Sequence, residues 1–226
     1  MPPRCLALPA LDTRFLNPRA EIPYGLTTAE IKLAMEDIYG IVNAINTILY
    51  SKVEQRLEDL VLGNSLSGII SELVVKSIAD RSESLLRNEK VGGHPDLLPV
   101  GYYDSCSILH GDEGIEVKSS IQPGGWQGHN PEACWIMVFR YSVDTQTEPI
   151  EEREPIRFVQ VLTAQLSQED WSFSGRRGQS RRTPTASITE SGMHKLRSNP
   201  IYQEPGAVVW PERYSYEALY GNRRLI

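Results

Sequence analysis

Apolar and polar positions follow two regimes along this chain, helix-spaced in roughly its first third and strand-spaced beyond. Ile31, Met35, Ile38, Val42, Ile45 and Leu49 recur at alternating steps of four and three, which sets them on one helical stripe. Thr27 and Glu30 stand ahead of it in capping-box spacing. The stripe fades through Val53, Leu57 and Leu60, and Gly63-Asn64 stops it. An unbroken helix over 28–61 would be about 50 Å long. Its stripe is open to two uses, packing on the core or on a symmetry mate.

A second helix is expected from about 65–67, with Leu66, Ile69, Ile70, Leu73 and Ile78 on its apolar face and Glu72 off it. It should fray through the polar run 80–90 and end at Gly92-Gly93. Strands are expected over 96–103 and 114–121, joined by the polar loop 105–113, and again over 134–143 and 156–166. The last two are nearly continuous apolar runs, as a strand covered on both faces requires. A proline-rich arm (1–25), a loop over 172–185, a short helix over 190–197 and a weakly patterned tail (201–226) complete the chain. With no repeat and no linker, 1–226 reads as one domain: an arm and helical part (1–64), a core (65–166) and a C-terminal part (167–226).

Composition narrows the class. Hydrophobic residues make up 40% and charged residues 23%, as in ordinary globular proteins. No apolar run approaches the roughly 18 residues of a membrane span, and the first residues lack a signal-peptide pattern, so a cytoplasmic protein is expected. Three cysteines make no disulfide framework. Cys106, His110, His129 and Cys134 make a conceivable zinc set, but with no C-x2-C pair. The net charge of −6 argues against bulk affinity for nucleic acid, yet Arg176, Arg177, Arg181, Arg182, Lys195 and Arg197 gather in one stretch whose only acid is Glu190. A confined anionic partner fits that pattern.

Candidate chemistry lies in Gly93-His94-Pro95-Asp96 and Gly114-Ile115-Glu116-Val117-Lys118. Strand alternation puts Glu116 and Lys118 on one face, opposite Ile115 and Val117. A hairpin brings Asp96 beside Glu116. Two carboxylates next to a lysine suit phosphodiester hydrolysis: hard oxygens for Mg²⁺, and an ammonium to orient the attacking water, deprotonate it or stabilise the charge that develops. The alternative is a surface hairpin carrying a solvated ion pair.

Pro95-Asp96 followed by Glu116-Val117-Lys118 resembles the signature of the PD-(D/E)XK nuclease superfamily, which includes type II restriction endonucleases. The resemblance covers 65–166 as a pattern of elements. It implies an α/β fold with a restriction-endonuclease-like core, a mixed central β-sheet flanked by helices, here with a long N-terminal helix added. It implies Asp96 and Glu116 as metal ligands, Lys118 as their catalytic partner, and Glu72 as a further acid from the preceding helix. The implied activity is Mg²⁺-dependent, site-specific cleavage of double-stranded DNA. A repair or recombination nuclease of the same superfamily and a non-catalytic DNA-binding protein are the alternatives.

The expected DNA reader is the loop with Arg176, Arg177, Arg181, Arg182, Thr183 and Thr185, aided by Gln122 after the catalytic strand. Arginine bridges guanine in the major groove, and hydroxyls hold phosphates. A surface loop with solvated charges is the alternative. One site per chain and two antiparallel strands to cut call for a two-fold homodimer and a palindromic target. Sedimentation is expected to show a dimer, at least on DNA; monomers both on and off DNA would refute the pairing.

Overall fold

The computed structural model describes residues 3–128, 132–173 and 185–206. Its first long element is α1 (Thr28–Val53). Thr27 Oγ1 accepts the Glu30 amide, and the Glu30 carboxylate accepts the Thr27 amide, so the expected capping box closes. Ile31, Met35, Ile38 and Val42 are buried as the stripe requires, and Ala34 and Tyr39 join them. Further along, the buried face turns to Asn46, leaving Ile45 and Leu49 outside the core. The first half of the stripe therefore packs on the core.

The expected run to residue 61 is broken. Glu54 takes a left-handed conformation (φ 54°), and α2 (Leu57–Leu60) follows as a separate helix. Asn46 holds this corner: its Oδ1 accepts the Leu57 amide at 2.8 Å and its Nδ2 donates to Glu58 at 2.9 Å. Arg56, wholly buried, pairs with Glu58 and Asp59 at 3.1 Å each. It also donates to the carbonyls of Glu154 and Asp144.

Helix α3 (Gly63–Arg81) packs against α1 and buries Leu66, Ile70, Val74, Val75 and Ile78. It stops before most of the expected fraying run, and β1 (Leu85–Arg87) occupies part of that run. A polar stretch could become a strand because Leu85 enters the core while Leu86 stays exposed. The expected strand over 96–103 shrinks to β2 (Leu97–Pro99), since Pro99 lacks an amide proton and Gly101 turns the chain at φ 76°. Next come β3 (Ile115–Ser120), β4 (Gln127–Gly128), β5 (Trp135–Ser142) and β6 (Arg157–Gln165). Then follow β7 (Trp171–Phe173), β8 (Ala186–Ile188), α4 (Glu190–Ser198) and β9 (Pro200–Gln203).

The fold is mixed α/β. Six strands in the order β1-β2-β3-β5-β6-β9 form the main sheet, antiparallel except for the parallel β3–β5 pair. One face carries α1 and α3 over Val117, Met137, Phe139 and Val161. The other carries α4 and the small antiparallel sheet β4-β8-β7 over Ile136, Val138, Leu162 and Ala164. Strand β5 thus supplies both cores, which explains its unbroken apolar sequence. The small sheet and β9 occupy segments that local pattern marks as loop and tail.

Among the described residues no helix is long and apolar enough to cross a membrane. Replacing Arg56 with Leu should cost about 3–5 kcal/mol, because Glu58 and Asp59 would lose the partner of a buried ion pair. Urea denaturation of Arg56→Leu beside the wild type measures this; a loss below about 1 kcal/mol would refute the role.

Candidate active site

The site grows from the β2–β3 hairpin. Leu97 pairs with Ile115, so Asp96 sits across the ladder from Glu116, one step along. Gly114 makes the close approach possible: its φ is 142°, and a Cβ there would overlap the Leu97 carbonyl and crowd Pro95. The long excursion between β2 and β3 is tied down by Asn88, whose side chain donates to the carbonyls of Pro95 (2.9 Å) and Ile108 (2.8 Å). His94 lies beside His110 in a short parallel bridge. The Gly111 amide donates to the His94 carbonyl at 2.7 Å, and the His94 amide donates to the Leu109 carbonyl at 3.2 Å. These bonds fix the backbone from which the imidazole reaches Glu116.

Glu116 and Lys118 share a face of β3, in register with Ile136 and Val138 on β5, so they point towards the layer of α4 and the small sheet. Both are largely withdrawn from solvent. Glu116 receives Lys118 Nζ at 3.2 Å on Oε1 and meets His94 Nδ1 at 2.9 Å on Oε2. Glu132, from the segment ahead of β5, faces Lys118 Nζ at 2.9 Å. Asp96 Oδ2 accepts the Val117 amide at 2.8 Å.

Charge is unevenly balanced here. Burial and the nearby Glu116 charge push the Asp96 carboxyl well above the usual carboxylate range. Burial works the same way on Glu116, but His94 and Lys118 outweigh it and hold its pKa down. Burial disfavours the Lys118 ammonium, yet Glu116 and Glu132 more than offset that and raise its pKa. Lys118 is therefore a permanent cation at neutral pH.

The hairpin sets Asp96 opposite Glu116, and its carboxylate accepts the amide of Val117, between Glu116 and Lys118. Glu72 has a side chain 68% exposed and pairs with Arg87 at 2.6 Å, while its charge adds to those that raise the Asp96 pKa. Among the described residues, only His94, Glu116 and Glu132 bring three ligand atoms within 4.8 Å of one another, a group that shares Glu116 with the expected Asp96–Glu116 pair. Cys106 is exposed and Cys134 buried, and with His110 they form no such group; His129 lies outside the described residues.

Two residues of this cluster have no role in the sequence reading. His94 has a signal, since it stands two residues before Asp96 on an extended segment. Glu132 has none, because only the path of the loop carries it to Lys118.

Glu116, Lys118 and Glu132 line an open cleft of about 700 Å³. Its walls include Ser67 and Ser71 of α3, Gln122 and Gln127 beyond β3, and Thr185. Trp126 is buried as a packing anchor of the small sheet. Arg176, Arg177, Arg181, Arg182 and Thr183 lie outside the described residues. No family model, curated protein or solved structure matches the chain.

Gly114→Ala should destabilise the protein by about 1–3 kcal/mol, since the added methyl must part β2 from β3. The shift in urea midpoint checks it; an unchanged midpoint would show that the close approach carries no weight.

Proposed function

We propose that this chain is a Mg²⁺-dependent endonuclease of the PD-(D/E)XK kind, cutting double-stranded DNA at a specific site in the manner of a type II restriction enzyme. The observation that carries this reading is the meeting of Asp96, Glu116 and Lys118 on one hairpin, with the last two in the wall of an open cleft. The donor set suits a hard cation, since carboxylates outnumber the one ammonium and Asp96, buried beside Glu116, keeps its proton above the usual range. Bound there, Mg²⁺ would polarise a phosphoryl oxygen and acidify the attacking water.

The chain's own groups supply the rest. Lys118, kept charged by its two glutamates, donates to a phosphate oxygen on which charge builds or orients the water. Its ion pairs fix the ammonium before substrate arrives, so little reorganisation is left for the reaction. Thr185 in the cleft wall is next in sequence to the basic segment, which supports a role for Arg176, Arg177, Arg181 and Arg182 in holding the duplex. Cutting both strands would then take two copies of the chain on a palindrome.

Digestion of a long mapped DNA with Mg²⁺ tests the reading. Discrete fragments are expected; a smear would point to a nuclease that reads structure, and DNA left intact both in Mg²⁺ and in Mn²⁺ would refute cleavage. Asp96→Ala and Lys118→Ala should each lower cleavage by about 100-fold or more while binding in Ca²⁺ stays largely intact. A Lys118→Ala variant cutting at the native rate would sink the assignment.

A further inference from the structure

His94 and Glu132 surround Glu116 in a way that an all-oxygen magnesium site does not need. We propose that His94, Glu116 and Glu132 form a seat for a divalent transition-metal ion of the Mn²⁺ type, which the chain selects over Mg²⁺ and Ca²⁺ through the His94 nitrogen. The seat rests on the nuclease reading for the use made of the ion, though not for its binding.

Two observations converge on it. The first is spacing. Adjacent ligands of an octahedral ion with bonds of about 2.1 Å stand about 3 Å apart, and His94 Nδ1 lies 2.9 Å from Glu116 Oε2. All three ligand atoms fall within 4.8 Å, from three separate segments of the chain. The second is Glu132 itself. It is only 9% exposed, it lines the cleft, and its Oε2 pairs with Lys118 Nζ at 2.9 Å. Gly128 leaves it room, because a Cβ there would overlap its carboxylate.

Nitrogen decides the class of ion. Imidazole suits first-row transition metals, whereas Mg²⁺ and Ca²⁺ take oxygen ligands and water. A site with one imidazole and two carboxylates therefore favours the former. Lys118 lies between the two glutamates of the seat.

Mn²⁺ alone, without DNA, is the probe. Electron paramagnetic resonance of the full chain should show one Mn²⁺ bound per chain and retained against a large excess of Mg²⁺. Pulsed measurements should show coupling to an imidazole ¹⁴N. His94→Ala should lose that coupling and weaken Mn²⁺ binding by at least about tenfold, and Glu132→Gln should weaken binding with the coupling kept. The wild-type coupling needs no variant to fold, so its absence in the Mn²⁺-loaded protein overturns the seat. Displacement of Mn²⁺ by equimolar Mg²⁺ also overturns it. Bound, nitrogen-coupled Mn²⁺ without DNA cleavage in any metal would uphold the seat and refute the nuclease. Cleavage in Mg²⁺ with no nitrogen coupling would do the reverse.

Discussion

A lysine ammonium withdrawn from water is the constraint around which this molecule is arranged. Lys118 sits on an inner strand, where an isolated charge would cost several kcal/mol. Glu116 and Glu132 flank it at 3.2 and 2.9 Å and keep it charged. Those carboxylates in turn create an excess of negative charge that His94 answers only in part. Each added group requires another, and the chain reaches back to the β2–β3 hairpin and forward to the loop ahead of β5 to supply them. The arrangement is a charged cluster at the border of two apolar cores, neither of which could take it inside.

The main sheet makes that border. Strand β5 is covered on both faces, by α1 and α3 on one side and by α4 with the small sheet on the other. Strand β3 runs parallel beside it and shares the first core through Ile115 and Val117. Its opposite face lies where the second layer opens into the cleft, so Glu116 and Lys118 are largely buried and still reach the cleft wall. The sheet holds their spacing, while the loop 121–128 brings further walls and the segments ahead of β2 and β5 bring His94 and Glu132. Such a division between a stiff scaffold and loop-borne groups is what positioning near a substrate requires.

Periodicity made much of the scaffold legible. The capping box and the first half of the α1 stripe, the apolar face of α3, and strands β3, β5 and β6 all follow from local spacing, because each has one or two faces that must be buried. The break after Val53 was not legible, because it depends on Arg56 finding carbonyls nearly a hundred residues away. Strand β1 hid in a polar run for a similar reason: three residues with one buried leucine carry too little pattern, and pairing with β2 supplies the rest. The small sheet and β9 are likewise short segments stabilised by partners distant in sequence.

By itself the sequence determined which residues could do chemistry. Alternation along one strand put Glu116 and Lys118 side by side, and a hairpin put Asp96 across from Glu116, since both relations depend only on backbone geometry over a few residues. Tertiary structure decided which other groups share their charge. Glu72 went to Arg87 at the surface. Glu132 came to Lys118 from a loop with no pattern of its own, and His94 was held against Glu116 by backbone bonds to residues 109–111. Charges act through space, so the partners of a buried charge depend on the path of the whole chain, which no local spacing encodes.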